Sequence, residues 1–386
     1  MSQFSVPCAV YRGGTSRGLF FSETDLPKDK KGRQKIFLNG LDAYNLSQVN
    51  GLGSGTSHTS KVVVIKPPSV EGAHVDYTFY QIGIGEEVID ANGTCGNLMA
   101  AVGAYAIDEG LVSIRSQGKE SFVPCEGYFT VTAFNTNIGK LIRLKVPTIN
   151  GKSKVNGTYE MSGMKLPGAK YVVDILAPGG GKLGSTLPLG TTCELIIKEK
   201  QFNVSVIDIV NPFVYLTAES IGVDEKKLFT DLSDDNKLLD LLELVRCEMS
   251  VQTGLTKSIT EAVDAPAIPK IAIVSAPEDY VTTSGTEIMK DEVDIIAKMV
   301  SMGKFHRTFA GSGLYNLAAA ALIPGTIPNN CSGFKADIGE RVVRIGHPDG
   351  IAQVRVRLTA DGEDIEYVGL DRTARRIIAG NLYIPE

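Results

Sequence analysis

Apolar residues recur along the chain in short runs, and two of these runs have the composition of buried helices. Residues 98 to about 107 and residues 314–321 consist almost entirely of alanine and other apolar residues. A helix that is apolar on every side is normally buried in the core of a protein. We therefore predict two helices of small apolar residues, one in each half of the chain.

Most of the other apolar runs are rich in β-branched residues and bounded by polar turns, which predicts strands. The predicted strands cover residues 6–11, 62–65, 74–84, 112–116, 120–134, 140–146, 170–176, 204–210, 213–216, 270–274, 342–345 and 352–358. Strands and helices are thus predicted in both halves.

Three further segments are predicted to be helical: 35–44, 228–253, where apolar residues stand at helical spacing, and 287–302. The charged residues 28–33 are predicted to be exposed surface. A length of 386 residues predicts about two domains. The glycine-rich loop 177–184 is the predicted crossover between them.

Each predicted Ala-rich helix follows a turn bracketed by glycines. The first turn carries Cys95, followed by Gly96 and Asn97, and the second carries Ser312 and Gly313. Free N–H groups at a helix start favour an anion, so two such turns facing each other would bind one carboxylate-bearing ligand. Cys95 is then a candidate acid or base for proton transfer; its alternative role is that of a small core residue.

Two other polar segments are candidate parts of a site. Residues 13–18 form a glycine-rich turn in which Thr15 and Ser16 join backbone N–H groups to hold an anion, although an ordinary hairpin turn has the same composition. Lys61 follows a Gly/Ser/Thr loop and opens a strand, where partial burial would let it act as a base. A surface lysine with a buried stem is the alternative.

Composition excludes several classes of protein. The net charge of −5, from 39 basic and 44 acidic residues, does not suit a nucleic-acid-binding protein. No apolar run has the roughly 18 residues of a membrane span, and the N-terminal residues do not resemble a signal peptide. The six cysteines form no C-x-x-C pair, so we expect reduced thiols, no bound metal and a cytoplasmic location.

Four segments together resemble the 2-methylaconitate isomerase (PrpF) family, which has the diaminopimelate epimerase-like fold. They are residues 11–18, 59–62, 92–97 and 306–313, and the resemblance extends through nearly the whole chain. It implies an α/β (α+β) fold of two similar domains, each a curved sheet around a central helix, with the active site between them. We predict domains at 1–184, joined by the tail 370–386, and at 185–369.

The resemblance also implies how the site works. Epimerases of this fold use one cysteine from each domain, whereas this chain has Ser312 where the second cysteine would stand. Members of the PrpF-like branch pair a lysine with the first cysteine, and Lys61 and Cys95 match that pair. Such relatives move double bonds in unsaturated di- and tricarboxylates without a cofactor.

We therefore expect Lys61 and Cys95 to be catalytic, without deciding which of them is the base. The predicted substrate-binding residues are Thr15, Ser16, Arg17, Gly96, Asn97, His306, Arg307, Ser312 and Gly313. The expected partner is a small unsaturated polycarboxylate, and the expected assembly is a homo-oligomer, a dimer or a tetramer. The alternatives are a racemase or epimerase of a small acid and a non-catalytic carboxylate-binding protein.

Overall fold

The computed structural model describes residues 2–112, 114–116, 119–121, 126–161, 163–224, 228, 235–266, 268–301, 303–306, 308–335 and 338–386. The chain divides into two compact units. The first comprises Met1–Leu176 with Asp371–Glu386, and the second comprises Ala177–Leu370.

The first unit contains two α-helices, α1 (Lys30–Leu41) and α2 (Met99–Asp108), and a 3-10 turn at Glu23–Asp25. Its strands are β1 (Gln3–Gly13), β2 (Ser16–Ser22), β3 (Lys61–Lys66), β4 (Val75–Ile82), β5 (Ile89–Asp90), β6 (Ile114–Ser116), β7 (Lys119–Ser121), β8 (Glu126–Asn135), β9 (Lys140–Ile149), β10 (Lys152–Ser153), β11 (Tyr171–Leu176) and, from the tail, β23 (Ala374–Pro385).

The second unit contains α3 (Asn236–Gln252), α4 (Ile259–Asp264), α5 (Gly311–Leu322) and α6 (Ile327–Ser332), with 3-10 turns at Glu219–Ile221 and Lys290–Glu292. Its strands are β12 (Cys193–Ile197), β13 (Lys200–Ile209), β14 (Asn211–Thr217), β15 (Lys270–Ser275), β16 (Tyr280–Val281), β17 (Glu287–Ile288), β18 (Ile295–Ser301), β19 (Lys304–Phe305), β20 (Glu340–His347), β21 (Gly350–Leu358) and β22 (Ile365–Arg372).

The sheet of the first unit curves around α2. Its strands pair in the order β23-β1-β2-β3-β4-β8-β9-β11, antiparallel except for the parallel pairs β2/β3 and β4/β8. Helix α2 packs against β1 and β23 near one end of this row and against β9 and β11 at the other. A flat sheet could not reach one helix from both ends, so the strands wrap around it.

The second unit repeats this topology. Its strands pair in the order β12-β13-β14-β15-β18-β20-β21-β22, and the parallel pairs, β14/β15 and β18/β20, fall at the same two places in the row. Helix α5 packs against β13, β14, β20 and β21 and so takes the place of α2. The two predicted central helices and the curved sheet around each are therefore confirmed.

The strand registers match individual residues of the two units. In β2/β3, Leu19 pairs with Val62, which places Gly18 beside Lys61 at the start of β3. In β14/β15, Phe213 pairs with Lys270 at the start of β15. Lys270 thus stands at the position of Lys61, and Phe213 at the position of Gly18.

The central helices are buried because their small side chains fit inside a curved sheet. Every residue of α2 from Met99 to Ile107 is buried. In α5, the residues from Gly313 to Leu322 are all buried. The outer helices cover the other face of each sheet: α1 adds Ile36 and Leu41 to an apolar core with residues of β1, β2 and β3. Each sheet is therefore covered on both faces.

Two sequence predictions need correction. Residues 287–301 of the predicted helix 287–302 form no α-helix: they contain β17, a 3-10 turn and β18, which lies between β15 and β20, and Met302 lies outside the described residues. Ile295, Ile296, Met299 and Val300 repeat at helical spacing only because β18 is buried on both faces. The predicted helix 35–44 is α1, which ends at Leu41 and begins earlier, at Lys30, because Asp29 accepts a hydrogen bond from Gly32 N–H at 2.7 Å.

Some predicted elements extend beyond the described residues. The predicted strands at 112–116 and 120–134 include residues 113 and 122–125, which lie outside them. So do residues 229–234 of the predicted helix 228–253, whose described part forms α3.

Candidate active site

The turn between β1 and β2 is held rigidly beside the start of α2. Gly13 pairs with Ser16, and Gly14 has a φ of 53°. A Cβ on Gly14 would lie 2.3 Å from Oδ1 of Asn97, so only glycine fits there. Arg12 Nη1 donates to the carbonyls of Gly14 and Thr373 at 3.0 and 2.9 Å. The turn is thereby tied both to the Cys95 segment and to the C-terminal tail.

Cys95 lies in the turn before α2, in contact with this hairpin. Its Sγ is 3.8 Å from Oγ of Ser16, and the thiol donates to the hydroxyl. The helix itself starts at Met99, so Cys95 lies four residues before the first helical residue. Thiol and hydroxyl form one polar contact between two segments that are far apart in the sequence.

A buried amide network holds the Cys95 turn against β4 and β8. Asn135 is fully buried, and its Nδ2 donates to Oγ1 of Thr94 and to the hydroxyl of Tyr77, each at 2.6 Å. Asn137 Nδ2 donates to the carbonyl of Ala91 at 2.9 Å. These bonds fix the backbone on the N-terminal side of Cys95.

Lys61 is 8% exposed, and its ammonium group contacts polar and aromatic groups of β4. Its Nζ donates to Oε1 of Gln81 at 2.5 Å and lies 5.1 Å from the ring centre of Phe79. Gln81 Nε2 donates to the carbonyl of Ser60 at 2.8 Å, which turns the amide oxygen toward the lysine. In the described part of the chain, no carboxylate lies within 4 Å of Nζ.

Ser16, Lys61 and Cys95 share one face of the first sheet. Ser16 and Gly18 are two residues apart on β2, so their side-chain directions agree, and Gly18 is level with Lys61. A Cβ on Gly18 would lie 3.1 Å from Cδ1 of Leu98, so this face is the one covered by the start of α2. Lys61 and Cys95 therefore lie on the same face of the sheet, and Ser16 on that face contacts Cys95.

The other predicted residues of the first unit belong to the hairpin or to the segment that carries Cys95. Asn97 Nδ2 donates to Oγ1 of Thr15 at 3.1 Å, while its Oδ1 accepts from Nε of Arg372 at 3.0 Å. Gly96 lies in the turn between Cys95 and Asn97. Arg17 Nη2 donates to the carbonyl of Leu52 at 2.9 Å. The hydrogen bond between Thr15 and Asn97 thus connects the hairpin turn to the segment that carries Cys95.

The remaining predicted residues belong to the second unit. The Nδ1 atom of His306 accepts from the Thr308 backbone N–H at 3.1 Å, which assigns the ring proton to Nε2 in the neutral form. Ser312 and Gly313 lie in the first turn of α5, which starts one residue earlier, at Gly311. Gly313 is buried against Phe309 and Phe213. Arg307 lies outside the described residues.

Other thiols are poorly suited to proton transfer. Burial raises the pKa of Cys8 to about 12 and that of Cys247 to about 11, and it also raises the pKa of Cys193. These thiols stay protonated at neutral pH, so almost no thiolate is present to accept a proton.

Sequence reasoning missed three residues that support the candidate site: Gln81, Asn135 and Arg372. Gln81 is 20 residues from Lys61, and Asn135 is 41 residues from Thr94. Only the strand pairing brings them together. The adjacent charges in residues 372–376 were the one visible signal for Arg372, and they do not reveal its contact with Asn97.

Two kinds of feature are absent from the described residues. No group of three or more His, Cys, Asp or Glu side chains there is placed to share a metal ion. No helix in that part of the chain is long and apolar enough to cross a membrane.

Two units of this topology, one carrying a lysine and a cysteine on its inner face, define a protein of the epimerase-like fold class. Residues 3–385 match the family model described as PrpF protein. The chain belongs to the PrpF family.

Similar proteins agree with this assignment. The chain is 36% identical to 3-methylitaconate isomerase of Eubacterium barkeri over 99% of this chain and 98% of that protein. It is 32% identical to 2-methyl-aconitate isomerase of Shewanella oneidensis over 100% of this chain and 98% of that protein. A crystal structure of methylitaconate-delta-isomerase superposes with a TM-score of 0.87 at 34% identity, covering 100% of this chain and 97% of that one.

These findings confirm the predicted family, the epimerase-like fold and the class of enzyme: the chain is an isomerase. They do not favour the racemase or the non-catalytic binding protein that the sequence left open.

Proposed function

We propose that the enzyme moves a carbon–carbon double bond in a small unsaturated di- or tricarboxylate, with Lys61 and Cys95 as the two proton-transferring groups. The observation that carries this proposal is their placement on one face of the first sheet, joined by the contact between Ser16 and Cys95. The relatives named as isomerases of methylitaconate and methyl-aconitate support the substrate class.

The reaction is an allylic proton shift. One of the two groups removes a proton from the carbon next to the double bond, and the C–H electron pair becomes the new double bond. The former π electrons move toward the conjugated carboxylate and then take a proton at the far end of the allyl system. No atom is gained or lost and no electron is transferred, so two positioned groups that exchange protons suffice.

The surroundings of Lys61 suit an anionic intermediate. Its contacts in the described residues are a neutral amide and an aromatic ring, so the ammonium charge is compensated by no carboxylate there. A buried uncompensated cation stabilises negative charge that develops nearby. The backbone N–H groups near Gly96 and the hydroxyls of Thr15 and Ser16 add hydrogen-bond donors.

The proposed substrate-binding set comprises Thr15, Ser16, Arg17, Gly96, Asn97, His306, Arg307, Ser312 and Gly313. The residues of the first unit are supported by their contacts around the hairpin turn. Those of the second unit are proposed from the family resemblance. A homo-oligomer and a cytoplasmic location remain predictions, which light scattering and cell fractionation would test.

The test is a panel of unsaturated polycarboxylates, including methylitaconate, methylaconitate, aconitate and oxalomesaconate, followed by proton NMR in deuterated water. We expect at least one acid to change the position or geometry of its double bond and to acquire deuterium at an allylic carbon. Deuterium that enters only a saturated stereocentre would instead identify an epimerase and contradict the proposal.

A further inference from the structure

Arg372 is the last residue of β22, where the chain enters its tail, and its guanidinium group is held beside the Cys95 turn. Its Nε donates to Oδ1 of Asn97, and its Nη1 donates to the carbonyl of Asp371, each at 3.0 Å. The side chain is half-buried. Both protein acceptors are neutral oxygens.

The positive charge of Arg372 has no ion-pair partner in the described part of the chain, and its Nη2 donates to no atom there. The neighbouring carboxylate of Asp371 is already paired, with Nζ of Lys170 at 2.5 Å. Successive side chains on a strand also point to opposite faces, which directs Asp371 away from Arg372. The guanidinium therefore keeps its charge and an unused donor edge.

Asn97 connects this guanidinium to the candidate active site. Its amide accepts from Arg372 and donates to Oγ1 of Thr15. Thr15 is adjacent to Ser16, which contacts Cys95. Arg372 is therefore two hydrogen bonds from the hairpin turn that borders Cys95, and it reaches that turn from a different element than Lys61 does.

A polycarboxylate presents at least two negative groups that are several bonds apart. In the proposed function, Lys61 interacts with the carboxylate close to the double bond. A second carboxylate needs a separate cation, and the planar fork of arginine matches a carboxylate in a bidentate manner.

We propose that Arg372, oriented by Asn97, binds the substrate carboxylate that is remote from the migrating double bond. This inference rests on the proposed function, since it presumes a substrate with more than one carboxylate. It makes Arg372 a specificity-determining residue that selects polycarboxylates over monocarboxylates.

The experiment compares a diacid substrate with its half-ester, in which the remote carboxylate is methylated. Relative to the wild type, Arg372→Gln should lower kcat/KM for the diacid on the order of 10- to 100-fold, mainly through KM, because a charge-assisted hydrogen bond is lost. The same variant should change kcat/KM for the half-ester less than about threefold, because that ligand has no remote charge to bind. Arg375→Gln removes one exposed positive charge from the same tail and should leave both substrates unaffected.

Binding measured without turnover provides an independent readout. Titration calorimetry with succinate, a saturated dicarboxylate probe, should show weaker binding to Arg372→Gln, but little change with monomethyl succinate, which keeps only one carboxylate. If Arg372→Gln does not fold, Arg372→Lys keeps the charge without the fork and should give an intermediate loss for the diacid. If Arg372→Gln lost as much affinity or kcat/KM for the esterified ligand as for the charged one, the inference would be overturned. Arg372 would then have only a structural role.

The two proposals fail in different ways. A wild-type enzyme that transforms no acid of the panel contradicts the proposed function, and the calorimetric comparison then decides on Arg372 by itself. A wild-type enzyme that isomerises a diacid, combined with an Arg372→Gln variant that discriminates normally, contradicts only the role of Arg372.

Discussion

The two units share one topology but differ at the turn where their central helices begin. Lys61 and Lys270 are the first residues of equivalent strands. The residue beside Lys61 on the neighbouring strand is Gly18, whereas the residue beside Lys270 is Phe213. The ring of Phe213 stacks on Phe309 at 6.5 Å and 16°, and Gly313 of α5 packs on both rings. At the start of its central helix, the second unit therefore has packed aromatic side chains. The first unit has small and polar side chains at the same place.

This difference shows what each turn contributes. In the first unit, Ser16 and Cys95 make a weak polar contact beside a buried lysine, an arrangement that offers exchangeable protons. In the second, the central helix is fastened to the equivalent hairpin by the buried Asn316, which donates to three backbone carbonyls of residues 207–211. The two units therefore share one topology, but we assign proton transfer to the turn of the first unit and a packing role to the turn of the second.

The two strand-opening lysines provide the sharpest comparison. We expect Lys61→Ala to reduce turnover by at least about 10²- to 10⁴-fold, since a positioned proton-transfer group is lost together with a positive charge. Lys270→Ala is the matched control, and turnover per folded molecule should change less than about threefold. Steady-state kinetics on both variants, with thermal melts, checks this. Equal losses would show that the units contribute equivalently.

Asn316 should matter for stability instead. In Asn316→Ala, three buried carbonyls and the hydroxyl of Tyr215 lose their partner. We expect the free energy of unfolding to fall by about 3 kcal/mol, because each buried unpaired group costs about 1–3 kcal/mol and water satisfies some of them. Urea titration measures the loss.

The matched control is Asn330→Ala, on the exposed face of α6, which should cost less than about 0.5 kcal/mol. A loss from Asn316→Ala as small as that of its control would contradict the fastening role.

Gly18 tests whether the open space in the first unit is needed. In Gly18→Ala the new Cβ would lie 2.9 Å from the carbonyl oxygen of Lys61 and 3.1 Å from Leu98. We expect turnover to fall on the order of 10-fold, because displacements of about 1 Å at a reacting group cost up to 100-fold. Gly380→Ala, at a strand position where the added methyl group meets nothing, is the control. Normal turnover in Gly18→Ala would show that the packing there tolerates a side chain.

A half-buried histidine, His347, should make the second unit sensitive to acid. Desolvation lowers the pKa of His347 to about 4, although the Asp349 carboxylate raises it in part; repulsion from His306 adds to the lowering. The unfolded chain protonates near pH 6.5, so stability is fully present above that pH and is lost as the pH falls from 6.5 toward 4. The full loss below pH 4 would be about 3 kcal/mol.

The measurement is the free energy of unfolding between pH 7 and pH 4.5, compared with His347→Gln. The variant should show a shallower decline with acid. Parallel curves for the two proteins would mean that His347 does not titrate between the folded and unfolded states as described.

Apolar composition predicted the two Ala-rich helices, whose small residues are buried, while their central position was implied by the family resemblance. The same reasoning failed for residues 295–301, since a strand covered on both faces also shows a continuous apolar run. Among site residues, Lys61 and Cys95 stand out as reactive groups next to glycine-rich loops. Gln81, Asn135 and Arg372 do not, because strand register and the return of the tail bring them to the site.

The proton-transfer role of Cys95 is tested most directly by proton NMR of substrate isomerisation in deuterated water with wild type and Cys95→Ser. We predict that Cys95→Ser isomerises and labels the substrate at least about 100-fold more slowly, because serine keeps the shape but is much harder to ionise. Its melting temperature and its affinity for propane-1,2,3-tricarboxylate should stay close to those of the wild type. A Cys95→Ser enzyme that labels the substrate at nearly the normal rate would remove the thiol from the mechanism.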